Sequence, residues 1–182
     1  MTWLSIVANI AVIILEVISL RMTIIERHWK VFAFYTQLSN IITLISSVAY
    51  LCLGAAAAPV RYLSTCMMVM TFLVTLCILA PFGGGFRKMM LRGSMLYHHT
   101  LCPAISVVSY FFCEPHEDIW PLPVAVTLAY GIVMMTLNAN GLYDGPYPFF
   151  RVKNQSRTAT VLWTAALFGI IFVISYLCGR LN

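Results

Sequence analysis

The chain has 182 residues, of which 61% are hydrophobic and 9% charged, and its formal net charge is +5. Soluble domains carry about 25% charged residues, so this composition excludes a water-clothed globular surface and points to a polytopic helical membrane protein. The expected fold is all-α, a single integral-membrane domain over residues 1–182, with no soluble domain between the spans.

Six spans are predicted, each near the roughly 20 residues that cross a bilayer. The first covers 3–22. It lacks a basic n-region, carries Glu16 late in the apolar run and has no small-x-small site before Arg21, so it reads as a retained helix and not a signal peptide. The second covers 31–53 and ends at the turn-forming tract Gly54-Ala55-Ala56-Ala57-Ala58-Pro59. The third covers 60–80 and stops at Pro81 and Gly83-Gly84-Gly85. The fourth, fifth and sixth cover 95–112, 119–137 and 158–178. Glu114-Pro115-His116-Glu117-Asp118 is a short polar turn, and 140–154 is the longest connection, rich in Gly, Pro and aromatics. Its segment Leu142 to Pro148 reads as a re-entrant or interfacial flap over the cytoplasmic mouth.

Charge sets the orientation. Arg21, Arg27 and Lys30, then Arg87, Lys88 and Arg92, then Arg151, Lys153 and Arg157 fall at one side, against Arg61 and Arg180 with an acidic cluster at the other. The positive-inside rule places the three basic loops in the cytoplasm and both termini on the opposite side. The positive charge is thereby explained by the membrane and its headgroups, not by nucleic acid. The six cysteines are scattered without CxxC, so no metal ligand set and no cofactor are expected. His-ligated haem is a weak reading, because every His except the adjacent pair lies in a loop.

At 1.5 Å per residue, Thr36 in the second span, His99 in the fourth, Glu16 in the first and Asn138 in the fifth share one layer, about 5–10 Å inside the cytoplasmic boundary. Asn40 lies one turn from Thr36 on the same face. A hydroxyl and an imidazole in hydrocarbon suggest a nucleophile and its base. Glu16 or Asn138 would orient the imidazole, and Asn40 or Gln37 would donate to an oxyanion. Each has a plainer reading as well: Thr36 bonding its own backbone, Ser39 and Asn40 gluing helices, Glu16 pairing with Arg21. His98 and His99 are about 100° apart on an α-helix, so only one of them is expected to face the site.

The run Trp29-Lys30-Val31-Phe32-Ala33-Phe34-Tyr35-Thr36-Gln37-Leu38-Ser39-Asn40 resembles the start of the second helix in the androgen-induced membrane hydrolases. His99-Thr100-Leu101-Cys102-Pro103 with Glu114-Pro115-His116, and Ala129-Tyr130 through Gly141 with Tyr147-Pro148, resemble later parts of that family. The Thr-x-x-Ser-Asn pattern is also similar to that of bacterial integral-membrane relatives. The resemblance implies a threonine hydrolase of the bacterial inner membrane. Its substrates would be fatty acid esters of hydroxy fatty acids or similar membrane acyl esters, with Thr36 as nucleophile and His99 as base. This chain has three residues between His99 and Pro103 where the animal pattern has four, and its Thr-to-Asn spacing differs by one. The alternative from another class is a small-solute transporter, channel or ligand-binding membrane protein using the same polar layer.

Overall fold

The computed structural model describes residues 1–181, with Arg27 by its backbone alone, so the Arg27 side chain of the orientation argument lies outside the described residues. The chain is all-α, with no strand among the described residues. Four helical stretches are long and apolar enough to cross a membrane: Trp3–Glu26, Tyr35–Phe82, Pro121–Ala139 and Arg157–Arg180.

The first helix, Trp3–Arg27, starts where the Thr2 hydroxyl accepts from the Ser5 N–H at 3.1 Å, and ends at His28, whose φ is 53°. Its buried positions are Ser5, Asn9, Val12, Glu16, Ser19 and Thr23, while Ile10, Ile14, Val17 and Ile18 are exposed. The helical period is intact but turned inside out, with the polar stripe facing protein and the apolar stripe facing outward. That is the arrangement hydrocarbon demands.

The 48-residue stretch Tyr35–Phe82 is a hairpin. The second helix, Tyr35–Leu53, and the third, Ala58–Val74, are separated by a 3-10 turn at Gly54–Ala57, with Gly54 at φ 60°. Two hydroxyl contacts, Ser39 to Thr71 at 2.9 Å and Ser46 to Ser64 at 2.8 Å, fix the helices as antiparallel. Small hydroxylated residues allow this close approach and bond across it. The second helix starts later than residue 31. Residues His28–Ala33 form a 3-10 helix and Phe34 is extended, so Thr36 sits in the first α-turn and not deep within a span.

The third helix continues through a π turn, Thr75–Leu79, into Ala80–Phe82. The fourth helical rod is Ser94–Leu96, a π turn at Tyr97–Leu101, then Cys102–Cys113. Both π turns end two residues before a proline, Pro81 and Pro103. A proline lacks the N–H that residue i−4 would accept from and crowds that carbonyl, here those of Cys77 and His99. The wider turn relieves both problems.

Helices one to four pack in a closed ring, one on two, two on three, three on four and four on one. The fifth helix, Pro121–Ala139, and the sixth, Arg157–Arg180, flank the third. The apolar core around Tyr62, Cys66, Met67, Tyr110 and Ile171 fills that side.

Two polar layers lie inside the ring. At one end the Arg61 guanidinium donates to both Glu114 oxygens, at 2.6 and 3.0 Å, and to Ser46 and Ser47; Asn9 and Ser109 donate to the same carboxylate. The side chains of Arg61 and Glu114 are fully buried, so these residues are not the solvent-facing loop charges the sequence suggested. The other end holds the candidate site.

Candidate functional site

The second layer begins with Glu16, seven residues from Asn9 on the same face of the first helix, about 10 Å away by the helical rise. Its Oε2 lies 3.5 Å from His98 Nδ1. The His98 Nε2 lies 2.8 Å from Thr23 Oγ1 and 2.9 Å from the amide nitrogen of Gln37. Glu16 is thus placed against an imidazole, as expected, but that of His98; Arg21 is exposed.

His99 is also buried, and its Nδ1 lies 2.7 Å from the Met89 carbonyl. A carbonyl only accepts, so Nδ1 carries a proton in this contact. The next residue, Thr100, donates to the Met90 carbonyl at 2.7 Å. The two side chains clamp the short helix Phe86–Met90 against the fourth rod.

His98 and His99 line the same cavity, of about 620 Å³, together with Thr36, Gln37 and Tyr147. This differs from the expectation that only one faces the site. Inside a π turn successive residues rotate less than in an α-helix, and the Tyr97–Leu101 turn brings both rings inward. Lys88, Arg92 and Glu26 also line this cavity.

Thr36 lines a second space as well, an apolar groove of about 90 Å³ between Met70, Val74, Tyr130 and Phe149. Thr36, Leu79 and Tyr147 are common to the cavity and the groove. The Thr36 Oγ1 is 3.2 Å from the Tyr147 hydroxyl, which also accepts from the Thr36 backbone N–H at 3.3 Å. That N–H is among the first donors of the second helix, which have no partner within the helix. The positive end of the helix therefore points at this hydroxyl pair.

Tyr147 reaches Thr36 because the 140–154 connection folds back into the bundle. Tyr147, Phe149 and Phe150 are buried, and Tyr147 stacks on Phe149 at 5.1 Å and meets Phe34 edge-on at 5.8 Å. Asn138 anchors this connection: its amide donates to the Tyr143 carbonyl at 3.2 Å, and its oxygen accepts from the Lys153 N–H at 3.3 Å. Asn138 is thus a loop anchor, with neither imidazole among its hydrogen-bond partners. The amide nitrogens of both proposed oxyanion donors are engaged, Gln37 with His98 and Asn40 with the Thr36 carbonyl. The Tyr147 hydroxyl contacts the Thr36 hydroxyl instead. It was passed over in the sequence because only its Tyr-Pro loop, not its partner 111 positions away, was visible.

Among the described residues no group of three His, Cys, Asp or Glu side chains converges to hold a metal. Neither a family model, a curated protein nor a solved structure matches this chain. The fold and its long apolar helices define an integral-membrane helical protein.

Proposed function

We propose that this chain is an intramembrane lipid-ester hydrolase, a bacterial-type relative of the androgen-induced membrane hydrolases, that crosses the inner membrane six times with both termini outside the cytoplasm. The observation carrying the reading is the position of Thr36 at the junction of a polar, histidine-lined cavity and an apolar groove. A membrane acyl ester has that duality: its chain suits the groove and its ester and polar part suit the cavity. The three basic loops support the orientation, and the hairpin at Gly54–Ala57 and the rod 94–113 supply the fifth and sixth crossings.

In this reading Thr36 Oγ1 attacks the ester carbonyl carbon. Its proton passes to the His99 imidazole, and the Tyr147 hydroxyl and the helix N-terminus steady the oxyanion. The carbon–oxygen bond to the alcohol breaks, and the alcohol leaves with the proton from His99. Water then attacks the acyl-threonine with His99 as base, releasing the carboxylate and restoring Thr36. Transport is less well supported, because the opposite end of the ring is filled by Arg61 and Glu114 with their hydrogen bonds satisfied.

The test is a lipid-ester panel and a fluorophosphonate probe applied to the purified protein. Thr36→Ala is expected to abolish labelling and lower turnover by ~10³-fold or more, with Thr36→Ser retaining part of it. Equal turnover in wild type and Thr36→Ala would remove the reading.

A further inference from the structure

Two cations stand in the wall of the 620 Å³ cavity, Lys88 and Arg92, both from the segment that joins the third helix to the fourth rod. The other described basic side chains of the three basic loops are not part of that wall. Gly84, at φ 104°, makes room for Lys88. A Cβ there would fall 3.2 Å from Lys88 Nζ and 3.1 Å from its Cδ, so the lysine lies back over a bare turn. Glu26 is the acidic residue of the wall. Among the described residues Lys88, Arg92 and Glu26 form no ion pair; the pairs present are Arg61–Glu114, His98–Glu16 and Arg180–Asp118. With both histidines neutral, Lys88 and Arg92 against Glu26 leave the wall one net positive charge.

We propose that Lys88 and Arg92 hold the phosphate of an anionic phospholipid whose acyl ester lies at Thr36. The inference rests on the hydrolase reading and names the substrate class of that site. Thr36 lines the same cavity as both cations and also opens onto the apolar groove. One chamber therefore offers the three surfaces that a phospholipid needs, for its chain, its ester and its headgroup charge. The Arg92 fork can pair with two phosphate oxygens, and the Lys88 ammonium can meet a third as a point charge. Basic pockets between helices at the cytoplasmic face are where phosphate headgroups bind. A phosphodiester brings one negative charge, which cancels that of the wall, and Glu26 can accept from headgroup hydroxyls. A zwitterionic headgroup would leave the positive charge uncancelled. Water adds across the ester, giving a free fatty acid and a lysophospholipid that keeps the phosphate.

The experiment offers full-length Thr36→Ala, in detergent micelles, equal amounts of dioleoylphosphatidylglycerol, dioleoylphosphatidylcholine and dioleoylglycerol, and counts retained lipid by native mass spectrometry. No chemistry is needed, so this arm stands whether or not the protein hydrolyses esters. Phosphatidylglycerol is expected to be retained about 10-fold over the other two. Adding Lys88→Gln with Arg92→Gln is expected to lower it to their level, and Arg87→Gln, outside the cavity wall, to keep it. With Thr36 intact, the same double substitution is expected to remove the preference of turnover for phosphatidylglycerol over dioleoylglycerol. Retention without turnover in wild type would remove the hydrolase and keep the headgroup site. Turnover without that preference would keep the hydrolase and overturn the site. Equal retention of the three lipids, or retention kept by the double variant, also overturns it. So does displacement of the lipid by an equal concentration of sn-glycerol 3-phosphate, which would assign the cations to a soluble phosphate ester.

Discussion

The two polar layers inside the ring of helices one to four are built from similar residues and differ in how they are satisfied. The Arg61–Glu114 layer draws on all four helices, and both of its ions are bonded to each other, to hydroxyls and, for Glu114, to the Asn9 amide, whose own Oδ1 is left over. The Glu16–His98 layer draws on helices one, two and four, and leaves Glu16 Oε1, Gln37 Oε1, Asn40 Oδ1 and His98 Nδ1 without hydrogen bonds. A saturated buried network holds a structure in one state. An unsaturated one beside a 620 Å³ cavity has contacts still to make. The contrast separates polar residues that hold the bundle from those that serve a site, which burial alone does not do.

The sharpest way to break this contrast is to cut each layer. Arg61→Ala strands the Glu114 carboxylate and is expected to cost about 3–5 kcal/mol in reversible unfolding, while Arg61→Met with Glu114→Leu recovers most of it. Glu16→Gln is expected to stay within about 1 kcal/mol of wild type, because it keeps the side chain's shape where Glu16 Oε1 makes no hydrogen bond. Comparable losses at both ends would erase the distinction.

Next in size is Tyr147→Phe, which removes one hydroxyl and leaves the aromatic packing. Ester turnover is expected to fall by about 10²-fold, with a stability change near 1 kcal/mol. A stability loss with unchanged turnover would assign Tyr147 to loop packing alone.

The smallest effect lies outside the spans. His116 packs on the Tyr110 ring at 4.7 Å, and burial pushes its pKa below the ordinary imidazole value against an opposing pull from Glu114. The unfolded chain then binds the proton more readily than the folded one. Stability is therefore full above pH ~6.5 and declines as acid drops through that value toward the lowered folded pKa. His116→Gln is expected to flatten this acid-side slope in melting temperature against pH.

Much of the fold was legible because punctuation in a membrane sequence is strong. Gly54, Pro59, Pro121 and the Pro-Gly-rich 140–154 connection bound the helices within a few residues of their observed ends. The start of the second helix was not, because the 3-10 segment His28–Ala33 is as apolar as an α-turn would be. Arg61 and Glu114 resembled loop charges since their partnership spans 53 positions. The site was half legible: depth grouped Thr36, His99, Glu16 and Asn138 in one layer, whereas the structure seats Thr36 in the first turn of its helix, makes Asn138 a loop anchor and brings His98 to the cavity that His99 lines. The signal for that was present in the prolines, since Pro103 stands to the Tyr97–Leu101 turn as Pro81 does to Thr75–Leu79.

Those twin turns have a mechanical meaning. Residues 83–93 join two widened, underwound sections of helix and are pinned to the fourth rod by the contacts of His99 and Thr100 with the Met89 and Met90 carbonyls. Lifting Met89 and Met90 away from the fourth rod takes from His99 the acceptor that fixes its proton on Nδ1. The placement of that proton and the seating of residues 86–90 on the fourth rod therefore rest on one contact.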